Sequence, residues 1–166
     1  IRWHFFSRKQ KYSELEESWK PEVKPLTADF INTHDNFMTW IGHASVLIKA
    51  SGSVFLVDPV LGDITFMIKR FTPAALDYEE ASGITGSVII LLTHNHYDHL
   101  DKKSIRSMPQ SARYIVPLGL GKIVKEMGAQ NIDEIDWWNE LNVNGIKVVF
   151  LPSQHWSKRM FDDANS

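Results

Sequence analysis

The sequence contains no cysteine, so it can form neither a disulfide framework nor a metal site built on thiolates. Any metal must therefore be held by histidine, aspartate or glutamate. No run approaches the roughly 18 apolar residues of a membrane-spanning helix, and no secretory signal pattern is visible. We therefore expect a cytoplasmic protein without a transmembrane segment. A net charge of −2 over 166 residues also argues against a nucleic-acid-binding protein.

The sequence pattern divides the chain into an N-terminal arm, residues 1–36, and one domain, residues 37–166. We expect the arm to be mostly irregular, with a short helix within residues 12–20, and to pack on the domain. Its first residues mix aromatic and basic side chains, which leaves peripheral membrane contact open as an alternative. From Phe37 onward, short β-rich runs are followed by alternating strands and helices. This order predicts an α/β (α+β) domain with a mixed sheet and flanking helices.

Three local patterns place elements inside this domain. Residues 87–93, "SVIILLT", form a continuous apolar run of the kind found in strands buried on both faces. Residues 102–108 and 119–128 favour helices, the second of which is ended by Gly128. Asn144-Gly145 lies between two strand-like runs and predicts a hairpin with a two-residue turn.

Metal-capable side chains follow directly on the buried strand. His94, His96, Asp98 and His99 lie within six positions of one another, in the stretch "LLTHNHYDHLD". These four ligands exceed what one tetrahedral ion with an open catalytic position needs, so they suit two adjacent ions. Imidazole and carboxylate without thiolate suit zinc, and also iron or manganese. His155 also follows an apolar strand, and loops at strand ends commonly build sites.

The stretch "HNHYDH" resembles the signature of the metallo-β-lactamase superfamily. Further stretches narrow the resemblance to the N-acyl-phosphatidylethanolamine-hydrolysing phospholipase D family and its bacterial relatives. They are "TWIGHASVLI", "FLVDPV", "VPLGL", "IDEIDWWNE" and "LPSQHWSKR", and the similarity runs from about Thr39 to Asp163. The resemblance implies an αββα sandwich with a metal site at one edge of its two sheets.

The resemblance also implies a ligand set for two divalent metal ions. His94, His96 and His155 correspond to the three ligands of the first zinc. Asp98 and His99 correspond to ligands of the second zinc. Asp98 would in addition orient the attacking hydroxide and act as a general base.

Two further residues correspond to supporting positions of the family. Asp58, in "VDP", matches an aspartate that supports the site through hydrogen bonds and does not ligate metal. His43, in "GHAS", matches a position close to the site, where a structural hydrogen bond and a catalytic role are both open.

The resemblance implies two more ligands, a bridging aspartate and a final histidine, and the chain stops before both. Asp162 and Asp163 match an earlier element of the family pattern. We therefore interpret residues 37–166 as the N-terminal half of the sandwich, with an incomplete second metal site and an uncovered apolar sheet face. Three explanations stay open: the rest is cut off or disordered, it is a separate complementing chain, or the half pairs with a copy of itself.

The implied function is a metal-dependent hydrolase, a zinc phosphodiesterase acting on a phospholipid or a similar small diester through metal-bound hydroxide. Two alternatives remain. The first is a lactonase or other ester hydrolase, because one fold serves many substrates. The second is a metal-binding half-domain without catalysis, which only the missing ligands favour.

Overall fold

The computed structural model describes residues 21–64 and 69–155. The helix expected within residues 12–20 and the basic, aromatic start of the arm lie outside the described residues. The described helices are α1 (Ala28–Thr33), α2 (Tyr78–Ser82), α3 (Lys102–Ser107) and α4 (Gly121–Met127). The described strands are β1 (Phe37–Gly42), β2 (Ser45–Ala50), β3 (Ser53–Val57), β4 (Ser87–Leu91), β5 (Arg113–Pro117), β6 (Asn131–Ile135), β7 (Glu140–Val143) and β8 (Ile146–Val149).

Strands β1 to β6 form one mixed sheet in sequence order. The pairs β1–β2 and β2–β3 are antiparallel, whereas β3–β4, β4–β5 and β5–β6 are parallel. A two-residue turn at Ser51 and Gly52, with φ of 49° and 73°, joins β2 to β3, as expected for a tight hairpin. The parallel strands are joined by segments that carry helices α2, α3 and α4. The predicted mixed sheet with flanking helices is therefore confirmed.

The sheet is buried on both faces at its central strands β3 and β4, because every residue after the first serine of each strand is apolar. In β4, Ile90 faces the larger core, which is packed under the helices, whereas Ile89 faces a smaller core on the opposite side. In β3, Leu56 and Phe55 divide between the two cores in the same way, since successive side chains of a strand point to opposite faces. The apolar run at residues 87–93 is thus the doubly buried strand that its sequence predicts.

Residues ahead of β1 contribute to the larger core. Leu26 and Ile31 are buried there, with Ile31 fully inaccessible. The carboxylate of Glu80 accepts a hydrogen bond from the Ala28 N–H at the start of α1, and the buried Lys49 ammonium donates to the Ile31 carbonyl near its end. Helix α1 was not expected, because contacts from distant residues stabilise its two ends.

The hairpin β7–β8 lies on the other face of the sheet. Its turn residues Asn144 and Gly145 have φ of 51° and 84°, which is the turn that the Asn-Gly pair predicts. The Asn144 amide donates to Ser53 Oγ at 2.9 Å and to Ser87 Oγ at 2.8 Å, so it ties the hairpin to β3 and β4. The apolar face expected to be uncovered is therefore covered in part, by the hairpin residues that join the smaller core.

Two large apolar side chains of the edge strand β1 are not covered by the hairpin β7–β8 and remain exposed to solvent. Met38 is 72% exposed and Trp40 is 65% exposed. In the described part of the chain, no helix has the length and apolar character needed to cross a membrane.

Candidate metal centre

The candidate site lies where several strands end. Asp58 follows β3 directly, the stretch from Thr93 to His99 follows β4, and His155 lies beyond β8. Strands β3 and β4 are parallel neighbours, so their carboxyl ends open at the same edge of the sheet. Loops at this edge are a common place for binding sites in α/β proteins.

The loop that carries the histidines is fixed by its own backbone. The N–H groups of His99 and Leu100 both donate to the His96 carbonyl, at 3.1 and 2.8 Å. Leu100 is fully buried and anchors the end of the loop in the larger core. The Asp101 carboxylate then accepts hydrogen bonds from the Ser104 N–H and hydroxyl and caps α3. The loop is therefore held by its internal turn and at its carboxyl end.

Three imidazoles converge at the mouth of the site. His94 Nε2 lies 2.9 Å from His96 Nδ1, and His155 Nε2 lies 3.3 Å from the same His96 atom. One ring nitrogen from each of the three histidines lies within 4.8 Å of a ring nitrogen of the other two. A tetrahedral ion with zinc–nitrogen distances of about 2.0–2.1 Å holds its ligand nitrogens about 3.3 Å apart. The spacing of these three nitrogens therefore fits one metal ion.

The protonation of two of these imidazoles suits metal binding. Burial, together with the neighbouring His99 and His96, lowers the pKa of His94 to about 4. Burial and the nearby His155 also lower the pKa of His96. His94 is therefore neutral at pH 7 and offers a lone pair, and His96 is shifted in the same direction. A neutral imidazole is the form that binds metal.

Asp58 lies beside the candidate ligands and joins several of them through hydrogen bonds. Its side chain is almost fully buried and its φ is +41°, so the backbone turns sharply after β3. The Thr93 N–H donates to Asp58 Oδ1 at 2.8 Å, and the Thr93 hydroxyl donates to Oδ2 at 2.6 Å. His99 Nδ1 donates to the same Oδ2 at 2.8 Å. The Asp58 carboxylate also belongs to a group with His94 and His99 that has metal-ligand spacing.

These bonds set which nitrogen of each imidazole faces the site. Because the Thr93 hydroxyl gives its proton to Asp58, it can only accept from His94 Nδ1, at 2.8 Å. His94 therefore carries its proton on Nδ1 and leaves Nε2 for a metal. His99 likewise gives its Nδ1 proton to Asp58 and leaves Nε2. Such outer hydrogen bonds orient metal ligands and raise their basicity, and the bond to Asp58 raises the pKa of His99.

A second group of ligand atoms lies beside the first. His43 Nε2 is 3.1 Å from Asp98 Oδ2, and His99 Nε2 is 3.8 Å from the same oxygen. Burial alone would raise the pKa of Asp98, but the hydrogen bonds from His43 and the backbone and the charge of His99 outweigh it and lower that pKa. Asp98 is therefore an ionised carboxylate at neutral pH.

The structure brings together all seven residues that the sequence singled out, and their individual roles stay predictions. The residue that sequence reasoning missed is Thr93, which links Asp58 to His94. The sequence feature that could have indicated Thr93 is a hydroxyl side chain directly between the buried strand and His94.

Replacing Thr93 with valine tests this link. Valine keeps the shape and removes the hydroxyl, so His94 loses the acceptor that fixes its proton on Nδ1. We expect zinc affinity to fall about 10- to 100-fold, the usual effect of removing an outer hydrogen bond at a metal site. Zinc competition with a chromophoric chelator measures the affinity. Thr93→Ser retains the hydroxyl and should bind like the wild type; equal losses in both variants would show that the methyl group matters instead.

Comparison with known families agrees with this geometry. Residues 54–166 match the family model described as "Beta-lactamase superfamily domain". The match covers more than half of the chain and includes six of the seven candidate residues; His43 precedes it.

Among curated proteins, the chain is similar to N-acyl-phosphatidylethanolamine-hydrolyzing phospholipase D 1 of Caenorhabditis elegans. The two are 33% identical over 161 residues, which cover 86% of this chain and 44% of the relative. It is also 32% identical over 139 residues to the mitochondrial N-acyl-phosphatidylethanolamine-hydrolyzing phospholipase D of Saccharomyces cerevisiae, covering 78% of this chain and 29% of that one. The chain thus spans less than half the length of these relatives.

Among solved structures, the chain is similar to CmlA, a diiron β-hydroxylase from Streptomyces venezuelae. The TM-score is 0.55 at 26% sequence identity, and the match covers 72% of this chain and 24% of CmlA. Fold, ligand geometry and family match agree: the chain belongs to the metallo-β-lactamase superfamily, in the branch of the N-acyl-phosphatidylethanolamine-hydrolysing phospholipase D proteins.

Proposed function

We propose that this chain carries the metal-binding part of a zinc-dependent phosphodiesterase that acts on phospholipids or similar amphiphilic diesters. The observation that carries the proposal is the convergence of His94 Nε2, His96 Nδ1 and His155 Nε2 at metal-ligand spacing. The family relationship supports hydrolysis, and the names of the two phospholipase relatives support a phospholipid. A cytoplasmic location is part of the same proposal.

The three histidines would hold one ion, and Asp98 with His99 would face a second. Bound metal would supply a Lewis acid for the phosphoryl oxygens and a water that ionises near neutral pH. Asp98 is ionised at neutral pH and lies at the mouth of the site, where its carboxylate can orient the attacking water and take its proton. Asp58 and Thr93 would keep His94 and His99 in the required tautomers.

A cavity of about 1000 Å³ lined in part by His94, His99 and His155 supports the proposal of an amphiphilic substrate. Its walls are largely apolar, with Leu118, Ile123, Val148 and Leu151 among them. No lysine or arginine occurs among its lining residues in the described part of the chain. The charge of a bound phosphodiester would therefore have to be balanced by metal, while the apolar walls accommodate hydrocarbon.

Substrate assays on the zinc-loaded chain test this proposal. We expect hydrolysis of N-acyl-phosphatidylethanolamine in mixed micelles, loss of that hydrolysis after treatment with a chelator, and its return when zinc is added. Turnover of a γ-lactone without turnover of the diester would support the lactonase alternative. A chain that binds zinc and hydrolyses neither compound would support the metal-binding half-domain.

A further inference from the structure

Arg70 is not among the candidate ligands, but its guanidinium contacts the backbone that carries two of the candidate residues. Its Nη2 and Nε groups donate to the carbonyls of Val60 and Gly62, respectively, in the loop that follows Asp58. We propose that Arg70 is a positioning residue of the metal centre, which holds this loop against the β1–β2 turn that carries His43. The inference rests on the proposed metal-dependent function and adds to it a residue outside the ligand set.

The loop after Asp58 begins with a buried turn whose path decides where the carboxylate points. Asp58 has φ of +41°, and Pro59 and Val60 behind it are buried. The Ser45 hydroxyl donates to the Asp58 carbonyl at 2.7 Å and accepts from the Val60 N–H at 3.0 Å. The Val60 carbonyl accepts instead from Arg70. Ser45 and Arg70 therefore fix successive polar groups of one turn.

The same guanidinium lies against Gly42, where the absence of a side chain makes room for it. A Cβ placed on Gly42 would lie 2.8 Å from Arg70 Nη1, so the guanidinium would have to move away. The turn is strained, because Gly42 has φ of +132° and His43 has φ of +53°. The Trp40 indole N–H donates to the His43 carbonyl at 2.8 Å. Strained backbone persists where the surrounding structure fixes it, and here Arg70 contacts the turn at Gly42 and Trp40 contacts it at His43.

Both backbone segments carry side chains of the candidate site. The Asp58 carboxylate fixes the proton positions of two candidate ligands, directly or through Thr93. His43 Nε2 lies 3.1 Å from Asp98 Oδ2. An arginine suits the bracing task because its planar fork can bind two carbonyls at once and stays charged at neutral pH, whereas a lysine ammonium is a single point charge. Loss of Arg70 would therefore shift Asp58 and His43 without removing a ligand.

Zinc affinity, measured by competition with a chromophoric chelator, tests the inference without requiring turnover. We expect Arg70→Ala to bind zinc about 10-fold more weakly, at the lower end of the loss that follows removal of an outer hydrogen bond at a metal site. Arg70→Lys should lose a similar amount, since an ammonium cannot replace the fork. Arg70 is partly buried beside a cavity of about 540 Å³. Guanidinium ion, at concentrations too low to unfold the protein, should therefore restore the affinity of Arg70→Ala, whereas urea should not.

Gly42→Ala provides an independent variant, because its Cβ would displace the guanidinium. We expect a loss of zinc affinity of the same size, and no further loss when Gly42→Ala and Arg70→Ala are combined, since both break one contact. Gly52→Ala is the matched control. Gly52 also has a positive φ, +73°, but nothing lies within 4 Å of a Cβ placed there. This variant should bind zinc like the wild type.

The outcomes separate this inference from the proposed function. Wild-type zinc affinity in both Arg70 variants would overturn the positioning role and leave the proposed function standing. A loss that guanidinium does not reverse, matched by an equal loss in Gly52→Ala, would show general destabilisation and would also overturn that role. Zinc affinity that depends on Arg70, in a chain that hydrolyses no diester, would support the positioning role and overturn the proposed phosphodiesterase. Thermal unfolding of each metal-free variant checks its fold, and Arg70→Lys, which keeps the charge and most of the bulk, serves where Arg70→Ala does not fold.

Discussion

Replacing His96 with alanine is expected to lower kcat/KM for diester hydrolysis by at least about a thousandfold. His96 Nδ1 is the atom that both His94 Nε2 and His155 Nε2 approach, at 2.9 and 3.3 Å. Its loss would leave the proposed first metal position with two of its three histidine ligands. A catalytic metal contributes several kcal/mol to the stabilisation of transition-state charge, and a thousandfold loss corresponds to about 4 kcal/mol. Steady-state kinetics at saturating zinc measure the effect.

The matched control for this variant is His34→Ala. His34 Nδ1 donates to the Phe30 carbonyl at 3.0 Å, so this ring is also hydrogen-bonded, but it lies outside the candidate site. It should retain wild-type turnover. Because the His96 ring is only partly buried, the fold of His96→Ala should persist, which thermal unfolding of the metal-free protein checks. Unchanged turnover in a folded His96→Ala would contradict the assignment of the three-histidine group.

Replacing Asp98 with asparagine is expected to lower kcat by about 10²- to 10⁴-fold, the usual contribution of a general base. Asparagine keeps the size of the side chain and its ability to accept a bond from His43, but it cannot take a proton from the attacking water. The low pKa of Asp98, to which the His43 hydrogen bond contributes, keeps the carboxylate ionised in the wild type. Pre-steady-state kinetics with zinc content measured on the same sample give kcat and occupancy together.

Asp133→Asn is the control for charge removal in this series. Asp133 pairs with Arg113 at 2.6 Å on the β5–β6 side of the sheet, and a partly exposed pair of this kind contributes roughly 0–1 kcal/mol. Turnover should be unchanged in that variant. A folded Asp98→Asn protein that turns over diester at the wild-type rate would remove Asp98 from the catalytic step.

Much of the sheet could be predicted because its sequence signals are local. Strand β4 lies at Ser87–Leu91, within the apolar run at residues 87–93 that predicted it, and that run is a property of neighbouring residues alone. The Asn144-Gly145 turn depends only on two residues that tolerate positive φ. Helix α1 depends instead on Lys49 and Glu80, which are distant in the sequence, so no local pattern indicated it.

The residues of the candidate site also fall into those that local sequence indicates and those that it does not. His94, His96, Asp98 and His99 are close in the sequence, so their grouping could be read from spacing alone. Asp58 and His43 were identified through the family resemblance, whereas His155 was also indicated by its position after an apolar strand. The contact of His43 with Asp98 spans 55 residues and needs a left-handed backbone at His43. Neither feature has a signal in local composition.

The identity of the bound metal decides which reaction the site can support. The relatives include both phospholipases and, in CmlA, a diiron β-hydroxylase. Ligand sets of histidine and carboxylate bind zinc, iron and manganese alike. The two phospholipase names and the apolar cavity beside the histidines favour hydrolysis of an amphiphile, for which a metal without redox chemistry is sufficient.

The most direct test of the account is the anomalous diffraction of a crystal of this chain grown with zinc, recorded on both sides of the zinc absorption edge. The account predicts an anomalous peak about 2.0–2.1 Å from His94 Nε2, His96 Nδ1 and His155 Nε2. The absence of an anomalous peak next to the three histidines, or a zinc peak elsewhere in the chain, would contradict the claim that these residues form the metal centre.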